Sequence, residues 1–132
     1  MTLVVDASVV VAGLVDGDED GSWAEALLAE NVLAAPHLMP VEAANILRRA
    51  ARAGDIGADT ASLAHADLLA LRVELLPYEP FGSRVWELRE NLTTYDAWYV
   101  AVAELFAAPL ATLDRKLCSA SGPRCAFATP GA

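Results

Sequence analysis

The chain has 132 residues, 55% of them hydrophobic, and carries 18 Asp and Glu against 9 Lys and Arg, a formal charge of −9. That length suits one domain with a proper core, here residues 1–132, and the acidic balance excludes a general polyanion binder, because phosphate contacts need cations. Two cysteines without a C-x-x-C spacing exclude a disulfide framework and a cysteine zinc site.

Leu3, Val4 and Val5 form a short apolar run that reads as a buried strand, closed by Asp6 at its carboxyl end. Ser8 is placed to cap a helix starting at Val9, with Val10, Val11 and Leu14 turned inward. Asp6 and Asp16 bracket this apolar run and no basic region precedes it, so it is expected to be neither a signal peptide nor a membrane span. Residues 17–21, GDEDG, read as a solvated loop that lacks the ligand spacing of a calcium loop. Ser22 opens a second helix reaching Asn31, followed by a strand at 32–35.

Pro40 suits the first position of a long helix and Gly54 the residue past its end. Ala43, Ile46, Leu47 and Ala50 make its core stripe, while Glu42, Asn45, Arg49 and Arg52 share another. Asp59 is expected to cap a helix to Leu71, residues 73–76 to form a strand, and Pro80 to start a helix burying Phe81, Val85 and Leu88.

Residues 91–117 carry the densest information. Thr93 is a cap followed three residues later by Asp96, whose carboxylate faces the positive end of the helix dipole. The helix over 97–107 is apolar almost all round and so is buried. Pro109 breaks it, residues 110–113 read as a buried strand, and Asp114 falls at that strand's carboxyl end. A last strand is expected at 125–129. Strands alternating with helices give an α/β domain with a mainly parallel sheet covered on both faces.

Asp6, Asp96 and Asp114 thus sit at strand ends or helix starts, with Glu42 in another first turn. In parallel sheets ligands gather at that edge. Any one of these acids alone is satisfied as a helix cap or dipole partner. Together, crowded carboxylates repel unless neutralised, and oxygen-only ligands suit a hard cation such as Mg²⁺ or Mn²⁺. A receiver-like phosphoryl-transfer domain shares the aspartate after the first strand, but its usual lysine position is taken by Asp114, with Lys116 displaced. His37 and His65 share no motif and are not expected to bind metal. Trp23, Trp86, Trp98, Tyr95 and Tyr99 read as core or interface, and Arg48, Arg49 and Arg52 as an RNA-backbone contact or as dipole-complementing cations.

The segments VVDAS at 4–8, PVEAAN at 40–45, YDAWYVA at 95–101 and ATLDRKL at 111–117, in this order, resemble a PIN domain and in particular the VapC toxins of bacterial toxin–antitoxin pairs. The resemblance implies a three-layer α/β/α fold on a mainly parallel four- to five-stranded sheet. It implies a cytoplasmic, Mg²⁺- or Mn²⁺-dependent endoribonuclease acting on tRNA, rRNA or mRNA, with no membrane association. It carries over Asp6, Glu42, Asp96 and Asp114 as catalytic metal-binding acids and Ser8, Asn45 and Thr112 as supporting polar residues; Arg115 and Lys116, beside Asp114, read either as RNA-phosphate contacts or as a solvated basic end after the strand. A homodimer and a VapB-like antitoxin are the implied partners, in keeping with the apolar surplus. The alternatives are a PIN nuclease acting on DNA or in RNA maturation, and a non-catalytic PIN-like interaction module.

Overall fold

In a computed structural model, which describes residues 1–131, five parallel strands make one sheet in the order β3-β2-β1-β4-β5. They are β1 (Thr2–Val5), β2 (Val32–Pro36), β3 (Val73–Leu76), β4 (Leu110–Ala111) and β5 (Phe127–Ala128). The first strand is central. Leu3 pairs with Leu33 on one side and Val5 with Ala111 on the other. The chain therefore builds outward from β1 to β3, then returns to lay β4 and β5 along its other edge, creating a reversal between β1 and β4. Parallel strands need crossovers, which seven helices supply. They are α1 (Ala7–Val15), α2 (Glu19–Glu30), α3 (Met39–Ala53), α4 (Ala58–Ala70), α5 (Gly82–Glu87), α6 (Thr94–Phe106) and α7 (Arg115–Cys118). Helix α1 packs on α2, α3 and α4, whereas α6 lies over β1, β2 and β4 with α5 beside it. Right-handed crossovers put the two groups on opposite faces once the chain reverses. This is the expected three-layer arrangement, with Val4, Val5, Val9, Val10, Val100, Val102 and Leu110 fully buried between the layers.

Several local expectations change. The cap of α1 is Asp6, whose carboxylate accepts the Val9 N–H, so the helix starts at Ala7 and Ser8 lies inside its first turn. The GDEDG segment is a helix start rather than a loop: Asp18 accepts the Gly21 N–H and opens α2. Gly21 is buried there, so close to the Asp16 carbonyl that a Cβ would stand 2.1 Å from its oxygen. Asp59 does not cap α4; it lies in the first turn behind Gly57, where its charge suits the dipole. Pro80 belongs to a 3₁₀ turn, Glu79–Phe81, ahead of α5, and Phe81, Val85 and Leu88 are buried as expected. Strands β4 and β5 are shorter than expected, since the chain past Ala111 turns so that the Thr112 hydroxyl accepts the Asp114 N–H.

Helix ends follow local chemistry. Thr93 accepts the Asp96 N–H to start α6, and Gly54 closes α3 at a φ of 81°. Helix α6 ends on Ala107, held at a φ of 50°, the one non-glycine residue with positive φ among the described residues. One ion pair ties α5, α6 and the approach to β5. Arg84 donates to both Glu104 oxygens at 2.7 and 3.1 Å and to the Gly122 carbonyl at 2.9 Å, and the Arg124 N–H donates to Glu104 at 2.7 Å. Cys118 and Cys125 are free thiols. Burial pushes the Cys125 thiol up to about 11. No helix among the described residues is long and apolar enough to cross a membrane.

Candidate active site

The reversal between β1 and β4 opens a crevice at the carboxyl ends of those strands, the usual place for a ligand in an open parallel sheet. Asp6 enters from the end of β1 and Asp114 from the turn after β4. Glu42 comes from the first turn of α3 and Asp96 from the first turn of α6. All four line one open cleft of about 330 Å³, together with Ser8, Asn45, Arg49 and Tyr99.

Asp6 is the most constrained acid. Its Oδ1 accepts the Ser8 hydroxyl at 2.6 Å and the Val9 N–H at 3.0 Å, and its Oδ2 accepts the Thr112 hydroxyl. Thr112 is fully buried and its oxygen also accepts the Asp114 N–H at 3.0 Å, so one hydroxyl links the ends of β1 and β4. The Ser8 oxygen in turn accepts the Leu113 N–H at 3.4 Å. Glu42 accepts the Tyr99 hydroxyl at 2.7 Å across 57 residues of sequence. Asp114 caps α7, its Oδ1 accepting the Lys116 and Leu117 N–H groups at 3.0 and 3.3 Å.

The electrostatics are those of an uncompensated anionic site. Burial raises Asp6 above the ordinary carboxylate range despite the hydrogen bonds from Ser8 and Thr112. Burial also raises Glu42, against the Tyr99 hydrogen bond and with help from Asp96 and Asp6. Asp96 is raised by burial, then by the charges of Asp114 and Asp6. The Tyr99 phenol is pushed far up by burial and by Glu42, which keeps it a proton donor. None of the four acids is in an ion pair among the described residues.

This donor set fits a hard divalent cation. A carboxylate offers about four lone-pair sites. Asp6 uses three of its sites, spread over both oxygens, Glu42 uses one and Asp114 two, so Asp6 retains a lone pair while Glu42 and Asp114 each keep an oxygen with no hydrogen-bond donor. Among the described residues no three acids close into a preformed cage. Mg²⁺ habitually retains several waters and needs only one or two direct carboxylates.

A PIN domain family model matches residues 3–123. The chain belongs to that family. Within it, this PIN domain is 37% identical to Ribonuclease VapC1 of Mycobacterium tuberculosis over 123 residues, 92% of each chain. Among solved structures it is similar to PAE2754 from Pyrobaculum aerophilum, with a TM-score of 0.69 and 30% identity over 90% of this chain and 78% of that one. It shares its fold with VapBC2 from Rickettsia felis, solved bound to a DNA fragment from their promoter, at a TM-score of 0.65 and 14% identity over 98% of each chain.

Sequence reasoning left two residues of this PIN-domain cleft without a specific place in it. Tyr99 is in the buried core, as expected, and its hydroxyl in addition reaches Glu42. Its place three residues after Asp96 on α6 was the available signal, since i and i+3 share a helix face. Arg49 was expected within a cationic cluster, and of its three arginines it alone lines the cleft. Asn45 lines the cleft too, its amide oxygen accepting the Arg48 Nε–H at 2.9 Å. Arg115 and Lys116 lie on α7 outside the cleft lining, Arg115 donating to the Pro130 carbonyl at 3.0 Å. Trp86 and Tyr95 are exposed, at 65% and 60%, which leaves for them the interface half of the expectation.

Proposed function

We propose that this PIN domain is an endoribonuclease of the VapC toxin type, cleaving RNA phosphodiester bonds at a Mg²⁺ or Mn²⁺ site held by Asp6, Glu42, Asp96 and Asp114. The observation that carries the reading is the convergence of four acids, none ion-paired among the described residues, on one cleft between β1 and β4. The likeness to Ribonuclease VapC1 supports RNA as the substrate class. A divalent ion bound there supplies Lewis acidity: it lowers the pKa of a water and stabilises charge on the leaving oxygen. The chain's own part is positional. Ser8, Val9 and Thr112 fix the Asp6 carboxylate with one lone pair toward the cleft. Tyr99 holds one Glu42 oxygen and leaves the other to take a proton from the attacking water or to accept a ligand. Asp96 and Asp114 bring the remaining negative charge, which repels RNA until the cation is present.

The same reading gives the partners. Val41, Leu63, Leu69 and Leu105 are large apolar residues left exposed, and they suit a second copy or a VapB-like antitoxin covering the chain.

The test uses purified protein and labelled RNA. Cleavage should require Mg²⁺ or Mn²⁺, stop with EDTA, and fall about 10²- to 10⁴-fold in Asp96→Asn. Mn²⁺ at about a hundredfold over its Kd should stabilise the wild type by about 2.7 kcal/mol, roughly 10 °C in Tm for a chain of this size. A fully active, folded Asp96→Asn protein, or a Tm indifferent to Mn²⁺, refutes the assignment. A PIN-type interaction module would bind its partner equally well with Asp96→Asn and show no cleavage in either form.

A further inference from the structure

Of the 9 Lys and Arg residues in the chain, Arg49 alone lines the acidic cleft. It makes no ion pair with any described residue, and its guanidinium donates to none. Arg48 is committed to Asn45, Arg84 to Glu104, Arg89 to the Trp86 ring at 4.7 Å and Arg115 to Pro130, while the guanidinium groups of Arg52, Arg72 and Arg124, unpaired among the described residues like that of Arg49, lie outside the cleft lining. Arg49 and Ile46 also line an adjoining depression of about 340 Å³ that continues to Ala53 and Asp55. Because both residues belong to both hollows, one surface track runs from the acids along α3. Glu42 and Arg49 share a stripe seven residues apart, about 10 Å along the helix axis.

We infer that Arg49 grips a phosphate of the bound strand flanking the one at the acids, and so sets which bond is presented for cleavage. This rests on the RNA-cleaving function proposed above. A guanidinium lying on the carboxylates would be paired with them; this one stands off, with its fork free to take two oxygens of one phosphate. The acids repel a polyanion, so a fixed cation at one end of the cleft orients the strand along the track. Its helix is anchored by Ala43 and Leu47, both buried, which holds the cation on a rigid element. Half-buried Ile46 offers an apolar floor between the two ends for a sugar or base.

The experiment measures cleavage of a short labelled single-stranded RNA of mixed sequence over a range of salt, with Mn²⁺ affinity followed separately by calorimetry. Arg49→Ala should raise KM about tenfold while kcat stays within about twofold. The slope of log kcat/KM against log salt should become shallower by about 0.7, one phosphate contact on a single strand. Mn²⁺ affinity should not move, and the cut positions should spread. Arg49→Lys should restore the salt slope but only part of KM, having a charge without the fork. Arg52→Ala, outside both hollows' shared residues, should change KM less. An Arg49→Ala protein with wild-type KM, salt slope and cut positions overturns the inference, as does one that loses Mn²⁺ affinity. Either result leaves the nuclease function standing, whereas wild-type protein inert toward RNA with Mn²⁺ removes both.

Discussion

Thr112→Val tests the linkage between the two strand ends most directly. The substitution keeps shape and volume and deletes one hydroxyl in a position with 0% exposure, so no water can replace it. Two hydrogen bonds go with it: the one donated to Asp6 Oδ2 and the one accepted from the Asp114 N–H. A hydrogen bond to a charged group contributes about 1.5–3 kcal/mol, and the stranded N–H lies near the surface, so the expected loss is about 2–3 kcal/mol. With 132 residues, the unfolding entropy is about 0.28 kcal/mol/K, which makes that loss a fall of about 7–11 °C in Tm. Because Asp6 also loses an orienting partner, Mn²⁺ affinity should drop about 10- to 100-fold. Scanning calorimetry gives the first number and titration calorimetry the second. Thr112→Ser is the control: it keeps the hydroxyl, leaves a methyl-sized void costing about 1 kcal/mol, and should retain the metal. A Val variant within about 0.5 kcal/mol of wild type, or a Ser variant that loses Mn²⁺ as badly as Val, refutes the reasoning.

Tyr99→Phe keeps the buried ring and removes the donor to Glu42; it should cost under about 1.5 kcal/mol of stability but slow cleavage about tenfold, and an unchanged rate would take Tyr99 out of the site. Burial pushes Glu104 up, but the Arg84 guanidinium and the Arg124 N–H outweigh it and hold the carboxyl below its ordinary range. Its stabilising contribution is therefore present above the unfolded value and lost as pH falls through the folded one. Wild type should lose stability on acidification below about pH 4.5 more steeply than Glu104→Gln, and parallel Tm-versus-pH curves would contradict that. Ala107→Gly should add about 0.5–1 kcal/mol, because glycine holds the left-handed cap of α6 without a Cβ penalty; a lower midpoint in urea would count against it.

The four acids were legible because each sits where a strand ends or a helix begins, positions that local chemistry marks. How they are held was not. Asp6 and Thr112 are 106 residues apart, and no periodicity announces that one hydroxyl serves both strand ends. Ser8 looked like a cap because hydroxyls usually cap; the helix starts two residues earlier, at Ala7, which gives that role to Asp6 and turns Ser8 into its donor. GDEDG reads as solvated by composition, and residues 17–20 are exposed, but the Asp18 carboxylate accepting the Gly21 N–H makes it a helix start. Arg48, Arg49 and Arg52 are alike in sequence, and the rotation of α3 decides which of them reaches the cleft.

The central place of β1 has a consequence for timing. Its neighbour on one side, β2, is made early, but β4 arrives only with Leu110 and Ala111. A growing chain can pair β1, β2 and β3 and cover them with α1 to α4, while the other edge of β1 stays open and Asp6 lacks Thr112. Pairings of such long sequence separation close slowly, and an open strand edge exposed meanwhile invites association. The cleft needs residues from position 6 to position 114, so an incomplete chain holds no assembled set of acids. The four-acid cleft is complete only once Asp114 has joined the fold.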